Sequence, residues 1–300
     1  MQGLAVLSLV IIVSSGLATS KLTNNSKKKV VSQVLSTRSE KFVAIPTLTG
    51  QSYPMLSAQA ALAIDLTSGV ALYEKDPDKL LLPASTTKIV TALVAMDYYT
   101  PGEILTVPNI KSEGQRMRLI FGEKLSVDSL LKGLLISSAN DAAEVLASEF
   151  PGGREAFISA MNTKARQLNL NNTEFKNPSG LEAVGHVSTA RDLIRVSEIA
   201  MENPYFAEIV GTKETKVVSI DGKFEHKLTN INELLGKVDG VAGVKTGWTE
   251  NARENLVTYI ERDGRKIMIA LLGSQDRFGE TKELIEWIFG NYEWREVAYP

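Results

Sequence analysis

Cysteine is absent from the 300-residue chain. Disulfides, thiolate metal sites and a cysteine nucleophile are therefore excluded. Histidine is almost as scarce: His186 and His226 are the only two, and no His-Glu-x-x-His helix is present. That disfavours a zinc hydrolase. Also missing are a Gly-x-Ser-x-Gly elbow and a glycine-rich phosphate loop. Neither sign of charge dominates, with 33 Lys and Arg against 35 Asp and Glu. The balance is uneven along the chain. Residues 21–41 hold six basic side chains and one acid, residues 1–20 hold no charge, and the remainder carries 27 basic against 34 acidic. A mildly acidic body argues against a nucleic-acid partner.

Long apolar runs are few. Leu4–Val13 is apolar except for Ser8, and small polar residues follow to Ser20. The run is short for a transmembrane helix and lacks a basic flank, yet it reads as a signal peptide or membrane anchor over residues 1–20. The rest of the protein is then extracytoplasmic, secreted or held at the outer face of the cytoplasmic membrane. Residues 21–56 are polar and basic without a sustained period, which predicts a linker. The run Lys27–Lys29 suits contact with anionic lipid, and with it a membrane association through the N-terminus, or contact with wall polymer, though such a run is more often a solvated tail. A folded domain is expected over 57–300, and 44% apolar content is enough for a proper core.

What is present centres on Leu82-Pro83-Ala84-Ser85-Thr86-Thr87-Lys88-Ile89-Val90. Pro83 suits a helix entry, and the nearly unbroken apolar stretch from Ile89 to Met96 predicts a buried helix. Ser85 and Lys88 stand three apart and project from one face of the first turn. The free amides of that turn and a nearby amine are what a serine nucleophile needs. The spacing alone is weak evidence, because Ser-x-x-Lys recurs at Ser26–Lys29 and Ser129–Lys132.

Before this turn, Ala60–Leu66 and Val70–Tyr73 read as a strand, a turn and a return strand. After it, helices are expected over Val127–Ile136, Ala142–Phe150 and Arg154–Leu168, and one begins after a Ser188 or Thr189 cap. From residue 205 the pattern turns to strands: a hairpin around Asp221-Gly222, then Asn255–Ile260 and Lys266–Leu272, with a closing helix over Glu280–Phe289. Four or five antiparallel strands with helices before and after predict an α/β sandwich.

Three elements occur in order: Ser85-Thr86-Thr87-Lys88, Ser138-Ala139-Asn140 and Lys245-Thr246-Gly247. They match the S-x-x-K, S-D-N and K-T-G set of class A β-lactamases and penicillin-binding proteins. With Asn177-Pro178-Ser179-Gly180-Leu181 and Gly243–Thr249, the chain resembles the D-alanyl-D-alanine carboxypeptidase family over about residues 58–290. The resemblance implies a penicillin-recognising serine transpeptidase (β-lactamase-like) fold, an antiparallel sheet flanked by helices with an inserted all-helical subdomain.

The resemblance also implies a substrate, the peptidoglycan pentapeptide ending in D-Ala-D-Ala, and β-lactam antibiotics as inhibitors. Ser85 becomes the nucleophile, Lys88 its base, and Ser138 a proton relay to the departing amine. Asn140 holds the substrate amide and orients Lys88. Lys245, Thr246 and Arg277 meet the terminal carboxylate. The amides of Ser85 and of Trp248, which follows Gly247, form the oxyanion hole. Ala139 stands where glycine is common, and Ala252-Arg253 where Ala-Gly is usual, so Arg253 and Glu254 are expected to narrow or recharge the cleft. Rival readings are an endopeptidase on cross-links, a β-lactamase with Glu174 as a poorly spaced deacylating base, and a catalytically silent wall-binding module. His186 reads as a structural histidine.

Overall fold

A computed structural model describes residues 42–50 and 52–298. The leader expected over 1–20 and most of the linker lie outside the described residues. The final stretch of that linker is instead a strand, β1 (Phe42–Leu48), paired antiparallel with β11 (Tyr292–Ala298). The folded unit thus begins before Ser57, and its two ends are tied together. Phe42–Leu48 mixes apolar and small residues without strict alternation, which hid the strand.

The centre of the molecule is a five-stranded antiparallel sheet in the order β3-β2-β10-β9-β8, built from β2 (Ala60–Asp65), β3 (Ala71–Lys75), β8 (Val241–Thr249), β9 (Arg253–Arg262) and β10 (Arg265–Ser274). Strand β10 is apolar on both faces. Met268, Ala270 and Leu272 pack into one core, and Ile267, Ile269 and Leu271 into the other. Burial on both sides explains why it reads as a continuous apolar run rather than an alternating one. Helix α7 (Arg277–Asn291) covers the second face through Leu284, Ile285 and Ile288.

The first face carries α1 (Lys88–Tyr98) and α5 (Ala190–Met201). Between β3 and β8 the chain also forms α2 (Val127–Leu135), α3 (Asn140–Ser148), α4 (Gly153–Gln167) and α6 (Pro204–Gly211). This inserted region is mostly helical, as the resemblance implied, but it also contains two small ribbons. One pairs β4 (Ile104–Thr106) with β5 (Lys124–Ser126), and the other pairs β6 (Glu214–Val218) with β7 (Glu225–Thr229). The expected hairpin at Asp221-Gly222 is therefore real, but it stands apart from the main sheet. Helix α6 departs from the strand reading after residue 205. Asn203 caps it by accepting from the Tyr205 and Phe206 amides, and Pro204 occupies its first turn. Among the described residues no helix is long and apolar enough to cross a membrane.

Candidate active site

Ser85 lies in a 3-10 turn (Ala84–Thr87) that runs directly into α1. Lys88 opens the helix and donates from Nζ to Ser85 Oγ at 2.8 Å. The lysine is fully buried, and its ammonium also donates to the Ser179 carbonyl. Burial, and then the charge of Lys245, hold its pKa well below the usual lysine range. A lysine there gives up its own proton more readily than a solvated one, and once neutral it can accept a proton from the adjacent hydroxyl.

A second serine–lysine pair faces the same space. Ser138 sits between α2 and α3 with φ +59°, a left-handed conformation that re-aims the chain at the helix junction. Its Oγ accepts from Lys245 Nζ at 2.9 Å, and Lys245 also donates to the Thr246 carbonyl at 3.0 Å. Burial and the Arg277 charge push the Lys245 pKa down to about 7. These partners lie 107 residues apart in sequence.

The two pairs open into a cleft of about 930 Å³ lined by Ser85, Ser138, Asn140, Thr246, Gly247 and Arg277, with Trp248 at its exposed rim. All the expected site residues except the two buried lysines line this space, and those lysines reach Ser85 and Ser138 from behind. Strand β8 is the edge of the main sheet. Gly247 lets it press against the nucleophile turn, since a Cβ there would lie 3.1 Å from the Ser85 amide nitrogen. Arg277 reaches back from α7 to donate to the Gly247 carbonyl at 3.0 Å.

Ten buried side-chain polar atoms have no hydrogen-bond partner among the described residues, and three of them are Asn140 Oδ1, Thr246 Oγ1 and Arg277 Nε. All three belong to side chains that line the cleft. The wall therefore offers a polar ligand one free acceptor, one hydroxyl and one free donor.

Two expectations need correction. Asn140 does not touch Lys88; its Nδ2 donates to the Glu113 carbonyl at 2.7 Å, and Lys88 is held by Ser179 instead. Arg253 and Glu254 do not line the cleft. Arg253 adopts φ +57°, the left-handed conformation that a glycine takes more easily, with its side chain exposed. Glu254 accepts from the Arg277 amide at 2.9 Å, so it anchors the start of α7. Glu174 pairs with Lys176 and is likewise not part of the cleft wall.

The loop that holds Lys88 was legible only as a turn. Asn177 Oδ1 collects four donors from Ser179, Gly180 and Leu181, which folds the loop tightly. Gly180 has φ +87°, and a Cβ on it would lie 1.9 Å from the Ala84 carbonyl oxygen. Only glycine allows this loop to approach the nucleophile turn. His186 bonds Thr87 Oγ1 at 2.9 Å, and burial followed by nearby lysine charge pushes its pKa down to about 4. It is a neutral brace beneath the turn.

Comparison with known proteins gives the family and the fold. The family model described as D-alanyl-D-alanine carboxypeptidase matches residues 47–276. The chain is 32% identical over 247 residues to the D-alanyl-D-alanine carboxypeptidase DacF of Bacillus subtilis, covering 79% of this chain and 63% of the relative's length. It is 31% identical to a D-alanyl-D-alanine endopeptidase of Escherichia coli, covering 80% of each chain. The crystal structure of the Streptomyces K15 DD-transpeptidase superposes with a TM-score of 0.74 at 29% identity, covering 80% of this chain and all of that one.

Proposed function

The chain belongs to the D-alanyl-D-alanine carboxypeptidase family, and from that premise we propose that it removes the terminal D-Ala of peptidoglycan pentapeptides through an acyl-enzyme on Ser85. The observation that carries the reading is the pair of buried lysines, each within 2.9 Å of a serine hydroxyl that opens on one cleft.

Ser85 Oγ attacks the carbonyl carbon of the penultimate D-Ala while its proton passes to Lys88 Nζ. The oxyanion that forms is met by the amides of Ser85 and Trp248. Ser138 gives its proton to the departing amine and recovers one from Lys245. The C–N bond breaks, D-Ala leaves, and an ester remains on Ser85. The proton that Lys88 holds passes on to recharge Lys245; the neutral Lys88 then takes a proton from an incoming water, whose oxygen attacks the ester, and hands it to Ser85 Oγ as the ester bond breaks. Arg277, Lys245 and Thr246 bind the terminal carboxylate, for which a guanidinium offers two parallel donors. Asn140 Oδ1 accepts from the substrate amide. The substrate backbone lies along the free edge of β8 as an added strand.

A β-lactam acylates Ser85 in the same way, but its leaving nitrogen stays tethered. With Glu174 away from the cleft, deacylation of that adduct is slow, which favours a penicillin-binding protein over a β-lactamase. The site works on the wall side of the membrane, with residues 1–20 as the export or anchoring segment, and trimming of stem peptides there contributes to cell shape. The endopeptidase reading stays in play because the Escherichia coli relative carries that activity in its name; both reactions break the same kind of D-Ala amide.

Intact mass after benzylpenicillin, with peptide mapping, tests the assignment. The expected result is one penicilloyl group on Ser85, none on Ser85→Ala, and free D-Ala released from pentapeptide muropeptides by the native enzyme alone. An adduct mapped elsewhere, or D-Ala release by Ser85→Ala, would overturn it. Dimeric muropeptides as substrate separate the two reactions: monomer formation faster than D-Ala release makes the enzyme an endopeptidase.

A further inference from the structure

The second histidine is outside the proposed chemistry, yet it is buried with a carboxylate. His226 on β7 and Glu123, one residue before β5, are 7% and 4% exposed. His226 Nε2 lies 2.7 Å from Glu123 Oε1, and its Nδ1 lies 2.9 Å from the Met117 carbonyl oxygen. A carbonyl oxygen can only accept, so Nδ1 carries a proton. A second proton lies between Nε2 and Glu123 Oε1, because two lone pairs do not face each other at 2.7 Å. Glu123 Oε2 accepts in turn from the Ile120 amide at 3.0 Å. The pair therefore clamps the loop 113–123 at two points.

That loop is the wall behind Asn140. The Met117 and Leu119 amides donate to the two carboxylate oxygens of Asp141, each at 3.0 Å. The Asn140 amide donates to the Gln115 carbonyl at 2.7 Å, and Asn140 Nδ2 donates to the Glu113 carbonyl at 2.7 Å. The last contact fixes which way the side-chain amide faces. With Nδ2 engaged by the loop, Oδ1 is the atom left without a partner among the described residues.

We propose that His226, through the Met117 carbonyl, is a positioning residue that keeps the loop 113–119 on α3 and so holds Asn140 with its acceptor toward the substrate. Glu123 orients the ring. The ladder runs from Glu123 to His226, to Met117, to Asp141 and the Glu113 carbonyl, and ends on Asn140. The inference rests on the proposed substrate contact of Asn140.

The test separates the two arms of the histidine. Asparagine places an amide donor where Nδ1 stands, and glutamine places one where Nε2 stands. His226→Asn keeps the Met117 contact and is expected to retain kcat/KM within about threefold. His226→Gln keeps the Glu123 contact, loses Met117, and is expected to lower kcat/KM about tenfold or more, the scale of a small misplacement in a site. In an Asn140→Ala background, His226→Gln is expected to cost nothing further.

Melting temperatures are read alongside. Equal losses in His226→Asn and His226→Gln, or an undiminished His226→Gln loss without Asn140, would overturn the proposal. An Asn140→Ala enzyme with full activity would instead sink the substrate-contact reading beneath it. Glu123→Gln keeps every hydrogen bond of the ladder with a neutral pair, so it folds and retains activity within about twofold even if His226→Gln does not fold. A tenfold loss in that variant also counts against the proposal.

Discussion

Two Ser-x-x-Lys segments lie within the described residues, and they differ in everything except spacing. In the first, the Lys88 ammonium lies 2.8 Å from Ser85, and burial and then a neighbouring cation depress its pKa. In the second, Ser129 sits in the first turn of α2 and donates its amide to the cap Ser126, while Lys132 turns away to pair with Asp128 at 2.8 Å in partly exposed surroundings. The i,i+3 geometry is common to both. What separates them is water and a counter-ion: Lys132 has both, and Lys88 is deprived of the first and held by a neutral carbonyl. Chemistry follows the environment of the amine rather than its distance along the helix.

The largest effect expected from this contrast is on the base. Lys88→Arg keeps a cation but removes the neutral form, so acylation of Ser85 by benzylpenicillin should fall by about 10³-fold or more, measured as adduct formation against time. Next comes the wall that tunes the second lysine. Arg277→Gln removes a donor to the substrate carboxylate and should lower kcat/KM by about 30-fold to 100-fold. It should also move the alkaline limb of the pH profile upward, because the Arg277 charge is one of the two causes that hold Lys245 at about 7. On the proposed mechanism, protonation of Lys88 sets the acid limb in the native enzyme and deprotonation of Lys245 the alkaline limb. A limb unmoved in Arg277→Gln would remove Lys245 from the carboxylate site.

The same shift has a stability consequence. Between pH 7 and the ordinary lysine range near 10.5, the unfolded chain binds a proton at Lys245 that the folded chain does not, so unfolding free energy rises with pH there. Lys245→Met removes this dependence. Urea unfolding at pH 6.5 and 9 should show the variant's advantage shrinking as pH rises, by an amount on the order of a few kcal/mol. The smallest effect belongs to the solvated pair: Asp128→Ala should cost no more than about 0.5 kcal/mol of stability through the ion pair itself, and leave penicillin acylation unchanged.

The contrast also marks how far a sequence can be read. The Ser85 helix, the strands at 60–66, 255–260 and 266–272, and the three motifs were visible because each is local: a period, a turn signal or a spacing. Helix α6 was missed although Asn203-Pro204 is a cap followed by a first-turn proline, since the strand signals downstream outweighed it. Strand β1 was missed because its partner lies at the other end of the chain. At the site, Ser85 and Lys88 were legible as a pair from three residues of spacing, whereas Ser138 and Lys245 were joined only by resemblance. The Ser179 carbonyl, which holds Lys88 in place of Asn140, is a backbone atom with no sequence signal beyond the turn-forming Asn-Pro-Ser-Gly. The left-handed Arg253 could not be read either, as arginine carries no local preference for that conformation.

The glycine contacts at 180 and 247 bear on when this protein becomes reactive. Both press backbone from distant parts of the chain onto the turn that presents Ser85, Gly180 at a separation no side chain tolerates and Gly247 at one that a Cβ would crowd. A nascent chain already has its hydroxyl and amine side by side in sequence. It lacks the desiccated setting that disarms the ammonium until the 177–181 loop and the last edge strand have docked. On the proposed mechanism reactivity is thus a late product of folding, and the fraction of a sample that takes up a penicillin label is expected to report the fraction of molecules that have finished.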